Sequence, residues 1–230
     1  MKLTTLAEVN VERAARRPVV VVTDTADGTQ RLVKAKDIAT DPLRAELARQ
    51  LRMGKSAMIE ADGKKLFLNV YAPTAKLVIV GAVHISQALA PLARSLDYDV
   101  TVVDPRTAFA SPERFPDVPV IAEWPDVALP PLNVDHYTAF VAVTHDPKID
   151  DPALLHALQR DCFYIGALGS RKTHARRGER LKAQGAAEAD IARIHAPIGL
   201  AIGAVSPAEI AVSIMAEITA QLRLPKENPA

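Results

Sequence analysis

Glycine, hydroxyl, imidazole and cationic side chains gather at a few short stretches of this chain, and together they suit the binding of a phosphate-bearing ligand. The first stretch is Gly81, Ala82, Val83 and His84, directly after the β-branched run LVIV. In a dinucleotide fingerprint the first glycine makes the tight turn, the second admits the phosphates, and the third lets helix and strand pack closely. Gly81 fills the first place, while Val83 and Ser86 stand at the second and third. A branched side chain at the second place implies a displaced phosphate, or a ligand held mainly by other loops. Asp104 ends the next apolar run, where a ribose-binding carboxylate would stand, and Arg106 follows it. A plain strand-to-helix turn without a ligand is the competing reading.

Strand ends at the carboxyl edge of an open parallel sheet converge on one crevice. The ends of AFVAVTHD and FYIGALGS therefore bring Thr144, His145 and Asp146 near Gly166, Gly169, Ser170 and Arg171. GALGSRKTHARR reads as a phosphate cradle, with small residues for close backbone approach, a helix start offering free amides, and Arg171 and Lys172 beside it. Lys172, Arg176 and Arg180 also fall four apart on one helical face; the far end of that stripe reads as solvated surface. His145 could shuttle a proton or hydrogen-bond the ligand. His84, His145, His174 and His195 are scattered without short metal-ligand spacings, so no metal site is expected; His136 and His156 read as surface or packing residues. Cys162 opens an apolar run and reads as a small buried hydrophobe. There is no nucleophile elbow and no P-loop, so no catalytic residue is assigned.

These corners need a scaffold, and the apolar pattern supplies one. LVIVG and VTVVD are unbroken runs of the kind buried on both faces of a parallel sheet, and Ile85, Leu89, Leu92 and Leu96 have helical spacing between them. Two more strands follow in AFVAVTHD and CFYIGALGS, with a helix between them that Asp151 would cap and Pro152 would open. Ser206 and Glu209 form a capping-box pattern ahead of Ile210, Ile214, Ile218 and Leu222 on one helix face. Gly199 and Gly203 bracket the loop before it, and Ile198 to Ala204 could fold back over the crevice or simply connect elements. The proline-rich stretch from Asp104 to Thr138 resists assignment. Ahead of all this, Asp27-Gly28 and Asp62-Gly63 mark two hairpins, with a helix between them capped at Asp41, opened by Pro42 and closed by Gly54. The expected architecture is α/β: residues 74–230 form a Rossmann-like open, mostly parallel sheet with helices on both faces. It is preceded by a small α+β unit over 1–73, and the tail KENPA is expected to fray.

Bulk properties narrow the partners. With 28 basic and 27 acidic residues the net charge is +1, which gives no general pull toward nucleic acid or anionic membrane. No apolar run reaches the roughly 18 residues of a membrane span, the first residues lack the apolar centre of a secretory signal, and one cysteine allows no internal disulfide. A cytoplasmic protein is the reading, and a homodimer is left open.

LVIVGAVHISQALAPLA, VTVVDPR, ERFP, THD, YIGALGSR, RIHAPIGLAIGA and SPAEIAVSIMAEI, in that order, resemble the C-terminal domain of the XdhC/CoxI family over roughly residues 74–222. The resemblance implies an accessory protein for xanthine and carbon monoxide dehydrogenase type enzymes. Such a protein would bind a molybdopterin-type molybdenum cofactor, in some cases as its cytosine dinucleotide. It would shield it while a cysteine desulfurase supplies sulfur, and deliver it to the apo molybdenum hydroxylase. The positions that match are Gly81, His84, Asp104, Arg106, Thr144, His145, Asp146, Gly166, Gly169, Ser170 and Arg171, with Pro197, Ile198, Gly199 and Gly203 later. Family members commonly have glycine at the place of Val83, and many carry an N-terminal cysteine that this chain lacks, which argues against sulfur transfer through its own thiol. An NAD(P)-dependent oxidoreductase and a nucleotide-sensing domain are the alternative readings of the same fold.

Overall fold

A computed structural model describes residues 2–225, and the chain divides after Pro73 into two compact units. The KENPA tail lies outside the described residues. The first unit contains α1 (Leu3–Ala14), β1 (Val19–Asp24), β2 (Gln30–Lys34), α2 (Arg44–Met53), β3 (Ala57–Ala61) and β4 (Lys64–Tyr71). Its strands form an antiparallel sheet in the order β2-β1-β4-β3. The run VVVV is unbroken because β1 is covered on both faces. Val20 and Val22 pack with Leu47 of α2, and Val19 and Val21 pack with Val9 of α1. Helix α1 is not legible in the sequence. Helix α2 begins two residues later than Pro42, because Asp41 turns its carboxylate to the Leu43 amide and to Arg31 and makes a turn there. Gly54 closes α2 in the left-handed region, as expected.

The second unit is the doubly wound sheet. It runs β5 (Lys76–Val80), α3 (His84–Ser95), β6 (Asp99–Val103), β7 (Val120–Ile121), α4 (Pro125–Ala128), β8 (Thr138–Ala142), α5 (Pro147–Leu158), β9 (Tyr164–Ala167), α6 (Arg171–Ala183), α7 (Glu188–Ile191), β10 (Ile194–His195) and α8 (Pro207–Arg223). The strand order is β7-β6-β5-β8-β9-β10, and every pairing is parallel. Chain order reverses between β5 and β8, which makes that boundary the switch point where such sheets open a crevice. One face packs Leu77, Ile79 and Val141 against Leu89 of α3 and Ile214 and Ile218 of α8. The other packs Val78, Val80 and Phe140 against Ile149 and Leu154 of α5 and Leu181 of α6. Each of these buried apolar side chains is worth about 1.5–3 kcal/mol.

Two sequence expectations change here. Helix α5 starts at Pro147 with Asp146 as its cap, not at Pro152 with Asp151. Asp146-Pro147 is an equivalent cap-and-proline pair earlier in the chain, and Asp151 lies inside the helix, paired with Arg180. The proline-rich stretch contains edge strand β7, the short α4 and a 3-10 turn. The capping box at Ser206 and Glu209 is present in full.

Candidate functional site

The corner after β5 is built around Gly81. Its φ is +118°, and a Cβ there would lie 2.9 Å from Thr144 Cγ2 and 3.1 Å from the Thr144 amide nitrogen. Only glycine lets the corners after β5 and β8 approach this closely. Val83 is the N-cap residue of α3 and offers no side-chain cap. Its side chain packs against the core face instead. The first-turn amides of α3, beginning at the exposed His84, are therefore left to solvent or a ligand. Ser86, in the third fingerprint place, is fully buried and donates its hydroxyl to the Gly81 carbonyl. That bond ties the helix back to the strand end.

Asp104 sits at the end of β6 and is fully buried. The Ala82 amide donates to its Oδ2 at 2.7 Å, and the Arg106 amide and Nε donate to Oδ1 at 2.9 Å. Arg106 Nη2 donates to Oδ2 at 2.7 Å. Burial alone would raise this carboxyl, but the guanidinium and the two amides outweigh it and hold it below the ordinary aspartate value. Four donors fill the acceptor capacity of one carboxylate. Asp104 thus braces the β5–α3 corner and holds Arg106, whose guanidinium lies 4.5 Å from the Phe109 ring centre. It has no free lone pair for a ribose.

The corner after β8 is held by a residue that sequence reasoning misses. Asp150, 1% exposed, accepts from Thr144 Oγ1 at 2.6 Å, the Thr144 amide at 3.2 Å and the His145 amide at 3.1 Å. Burial raises its carboxyl above the ordinary value despite those bonds. This clamp keeps His145 at φ +64°, a conformation that costs a non-glycine residue roughly 1–2 kcal/mol. His145 is exposed as a result, while the Asp146 side chain accepts from the Lys148 amide and caps α5. A first-turn acid six residues after the threonine is the available signal for Asp150.

After β9, Leu168 N–H donates to the Ala142 carbonyl at 2.9 Å, so this corner lies beside the previous one. Gly169 has φ +133° and packs against Thr173. Ser170 Oγ accepts from the Thr173 amide and caps α6, with Arg171 and Lys172 exposed in its first turn. His145 and Lys172 share a hollow of about 320 Å³ with Asp150, Arg176 and Arg177. Arg177 is a second residue that sequence reasoning misses. It falls four residues before the buried Leu181, so helical spacing places it on the inward face.

Adjacent strands β6, β5, β8 and β9 thus bring Asp104 and Arg106, Gly81 to His84, Thr144 to Asp146, and Gly169 to Lys172 onto one sheet edge. Gly166, Ile198 and Gly199 are placed differently. The Ile198 side chain occupies the space beside Gly166, and Gly199, at φ +88°, packs against Ser213 of α8 and donates to Glu217 at 2.8 Å. Glu217 also accepts from Tyr164 at 2.6 Å and pairs with His195 at 3.0 Å. These three residues seat the loop before α8 on the sheet. The described residues contain no group of three or more His, Cys, Asp or Glu able to hold a metal ion, and no helix long and apolar enough to cross a membrane.

Comparison with known proteins agrees with this fold. Residues 77–218 match the XdhC Rossmann domain. The chain is 34% identical over 155 residues to the uncharacterized protein YqeB of Escherichia coli K12, covering 66% of this chain and 28% of that protein. It is 32% identical to a probable xanthine dehydrogenase subunit of Bacillus subtilis 168, covering 66% and 44%. Against the molybdenum cofactor insertion chaperone PaoD of Escherichia coli K12 the identity is 31%, covering 69% and 43%. The chain therefore spans less than half the length of these curated relatives. A crystal structure described as a xanthine dehydrogenase from Bacillus halodurans shares the fold, with a TM-score of 0.70 at 23% identity over 96% of this chain and 67% of the other. The parallel sheet with its switch point, the Gly81 corner and the matched residues 77–218 lead to one conclusion: the chain belongs to the XdhC family.

Proposed function

We propose that this chain is a molybdenum cofactor chaperone that binds a molybdopterin-type cofactor and assists its insertion into an enzyme of the xanthine dehydrogenase class. The name of its relative PaoD supports the role. The observation that carries the reading is the uncapped start of α3 on the same edge as the cationic start of α6, with Gly81 letting the β5 corner close on the β8 corner that lies between them. Free helix amides and exposed cations are what a phosphate-bearing pterin requires of a protein. In this reading His84, Arg171 and Lys172 flank the phosphate end, and His145 and Arg106 border the crevice.

Two observations shape the finer parts. Cys162, the single cysteine of the sequence, is buried, and burial pushes its thiol up to about 12. A protonated buried thiol is a poor sulfur carrier, so the sulfur for sulfuration comes from a partner cysteine desulfurase, and this chain binds and delivers. The oxidoreductase alternative is weaker, because Asp104, its ribose carboxylate, is already filled by four donors. Denaturing extraction of the protein purified from a molybdenum-replete host, followed by oxidation and fluorescence, should release one pterin per chain at most. A nicotinamide nucleotide instead of pterin, or no pterin after loading with the free cofactor, overturns the reading.

A further inference from the structure

Helices α5 and α6 start side by side on the sheet edge, and the hollow between them is unusually cationic. Lys172, Thr173, Arg176 and Arg177 line one side; His145 and Asp150 line the other. Arg180, deeper along α6, is already engaged by Asp151, with Nη2 3.0 Å from Oδ1. Asp150 directs its carboxylate to Thr144 and the His145 amide. Lys172, Arg176 and Arg177 are left as the cations not tied into an ion pair with either acid.

Arg177 is the decisive one. It is 2% exposed, and Nη2 donates to the Leu168 carbonyl at 2.7 Å. Its Nε and Nη1 are buried without a hydrogen-bond partner. Asp150 and Asp151 attract it through space, yet burial still pulls the guanidinium below its ordinary value. A guanidinium stays protonated in proteins, so this is a buried charge with unused donors, an arrangement that is costly unless a counter-charge arrives. Lys172 and Arg176 are exposed at the mouth, where they can follow an incoming group.

We propose that the α5–α6 hollow is a phosphate-binding subsite, anchored by Arg177 and closed by Lys172 and Arg176. A tetrahedral oxyanion carrying two charges offers acceptors in several directions, which matches three cations approaching from different points on α6. The hollow shares its sheet edge with the start of α3 but lies on the α5–α6 face of the sheet. The subsite stands on Arg177 itself; only the identity of the phosphate's bearer rests on the cofactor reading.

The test is titration of the ligand-free full chain by calorimetry with inorganic phosphate and with pyrophosphate, at constant ionic strength set by chloride. Wild type should bind at least one of them, and the surface double variant Lys172→Ala with Arg176→Ala should lose affinity at least tenfold. Arg177→Met should abolish the binding, its relief of a desolvated charge set against the lost bond to the Leu168 carbonyl and the lost attraction to Asp150 and Asp151; the surface double variant decides the matter if Arg177→Met fails to fold. Tighter pyrophosphate binding assigns the subsite to a dinucleotide-type ligand, and tighter phosphate binding to a monoester. No heat with either anion, or unchanged affinity in the double variant, overturns the subsite. Pterin retention is scored separately: anion binding without pterin uptake defeats the cofactor reading alone, and pterin uptake without anion binding defeats the subsite alone.

Discussion

Replacing Gly81 by alanine should destabilise the second unit more than the same change at Gly185 or Gly203, positive-φ glycines of that unit with open space around them. The backbone at φ +118° costs an L-residue about 1–3 kcal/mol. The added Cβ also falls 2.9 Å from Thr144 Cγ2, 3.1 Å from the Thr144 amide nitrogen and 3.2 Å from Val143 Cγ2. Thr144 cannot yield freely, since its hydroxyl is held by Asp150 at 2.6 Å and Val143 N–H is bonded to the Val80 carbonyl at 2.9 Å. Overpacking of that kind adds about 1–3 kcal/mol. Gly203 is the control. It has φ +78° with nothing within 4 Å of a Cβ, so Gly203→Ala carries only the backbone cost of about 1–2 kcal/mol. The gain from a stiffer unfolded chain is common to both and cancels. Urea unfolding followed by far-UV circular dichroism and by Trp124, the single tryptophan, should place Gly81→Ala about 1–3 kcal/mol below Gly203→Ala. A gap under about 0.5 kcal/mol would refute the close approach of the two corners as the reason for glycine.

Four further outcomes follow from the same geometry. His145→Gly should raise stability by about 0.5–1 kcal/mol in the same assay by relieving the left-handed backbone, and a loss instead would show that the imidazole, not the backbone, sets that corner. Val83→Ser should cap α3, a gain of about 1 kcal/mol offset by the lost valine packing, while lowering pterin uptake; unchanged uptake with a gained cap would remove α3 from the site. The Glu217 carboxyl is opposed by burial but held below its ordinary value by His195, Tyr164 and the Gly199 amide, so its stabilisation is complete above the unfolded value and is lost as pH falls through the folded one. The stability difference between wild type and Glu217→Gln should accordingly shrink below about pH 4, and a difference constant from pH 7 to the acid range would contradict the pairing. Cys162 should resist iodoacetamide at pH 8 until denaturant is added; fast alkylation of the native protein would place a reactive thiolate where the structure has a buried thiol.

The sheet is legible in the sequence because its strands are buried on both faces, and unbroken β-branched runs have few other uses. The same patterning locates both Asp-Gly hairpins. What escapes is set by tertiary context. Strands β7 and β10 are two residues each, too short for any period, and exist only because a neighbouring strand offers its edge. Helix α1 carries an apolar residue at Val9 that gains meaning only once β1 needs a cover. Of the site, the corners are visible and their supports are not. Asp104 reads as a free ligand carboxylate, but Arg106 two residues on is the sign that it is internally satisfied. Asp150 and Arg177 carry charges on helix faces that point inward, and composition reads such residues as solvated surface. Gly166, Ile198 and Gly199 look like a ligand loop because glycines permit backbone approach. Here the approaching group is another part of the same chain.

Val83 connects the corner geometry to the choice of ligand. Three helices begin on the same sheet edge, and two of them close their own amides, α5 with Asp146 and α6 with Ser170. The third begins after a valine that cannot accept a hydrogen bond and that packs against the core. A cap residue there would satisfy the helix and leave it indifferent to anions; a glycine would admit phosphate but loosen the turn. Valine keeps the turn packed and the amides open. In the proposed reading, the departure from the dinucleotide pattern shifts the work of holding phosphate from glycine-lined backbone to an open helix start aided by side-chain cations, and it is on α6, not on the Gly81 turn, that those cations lie.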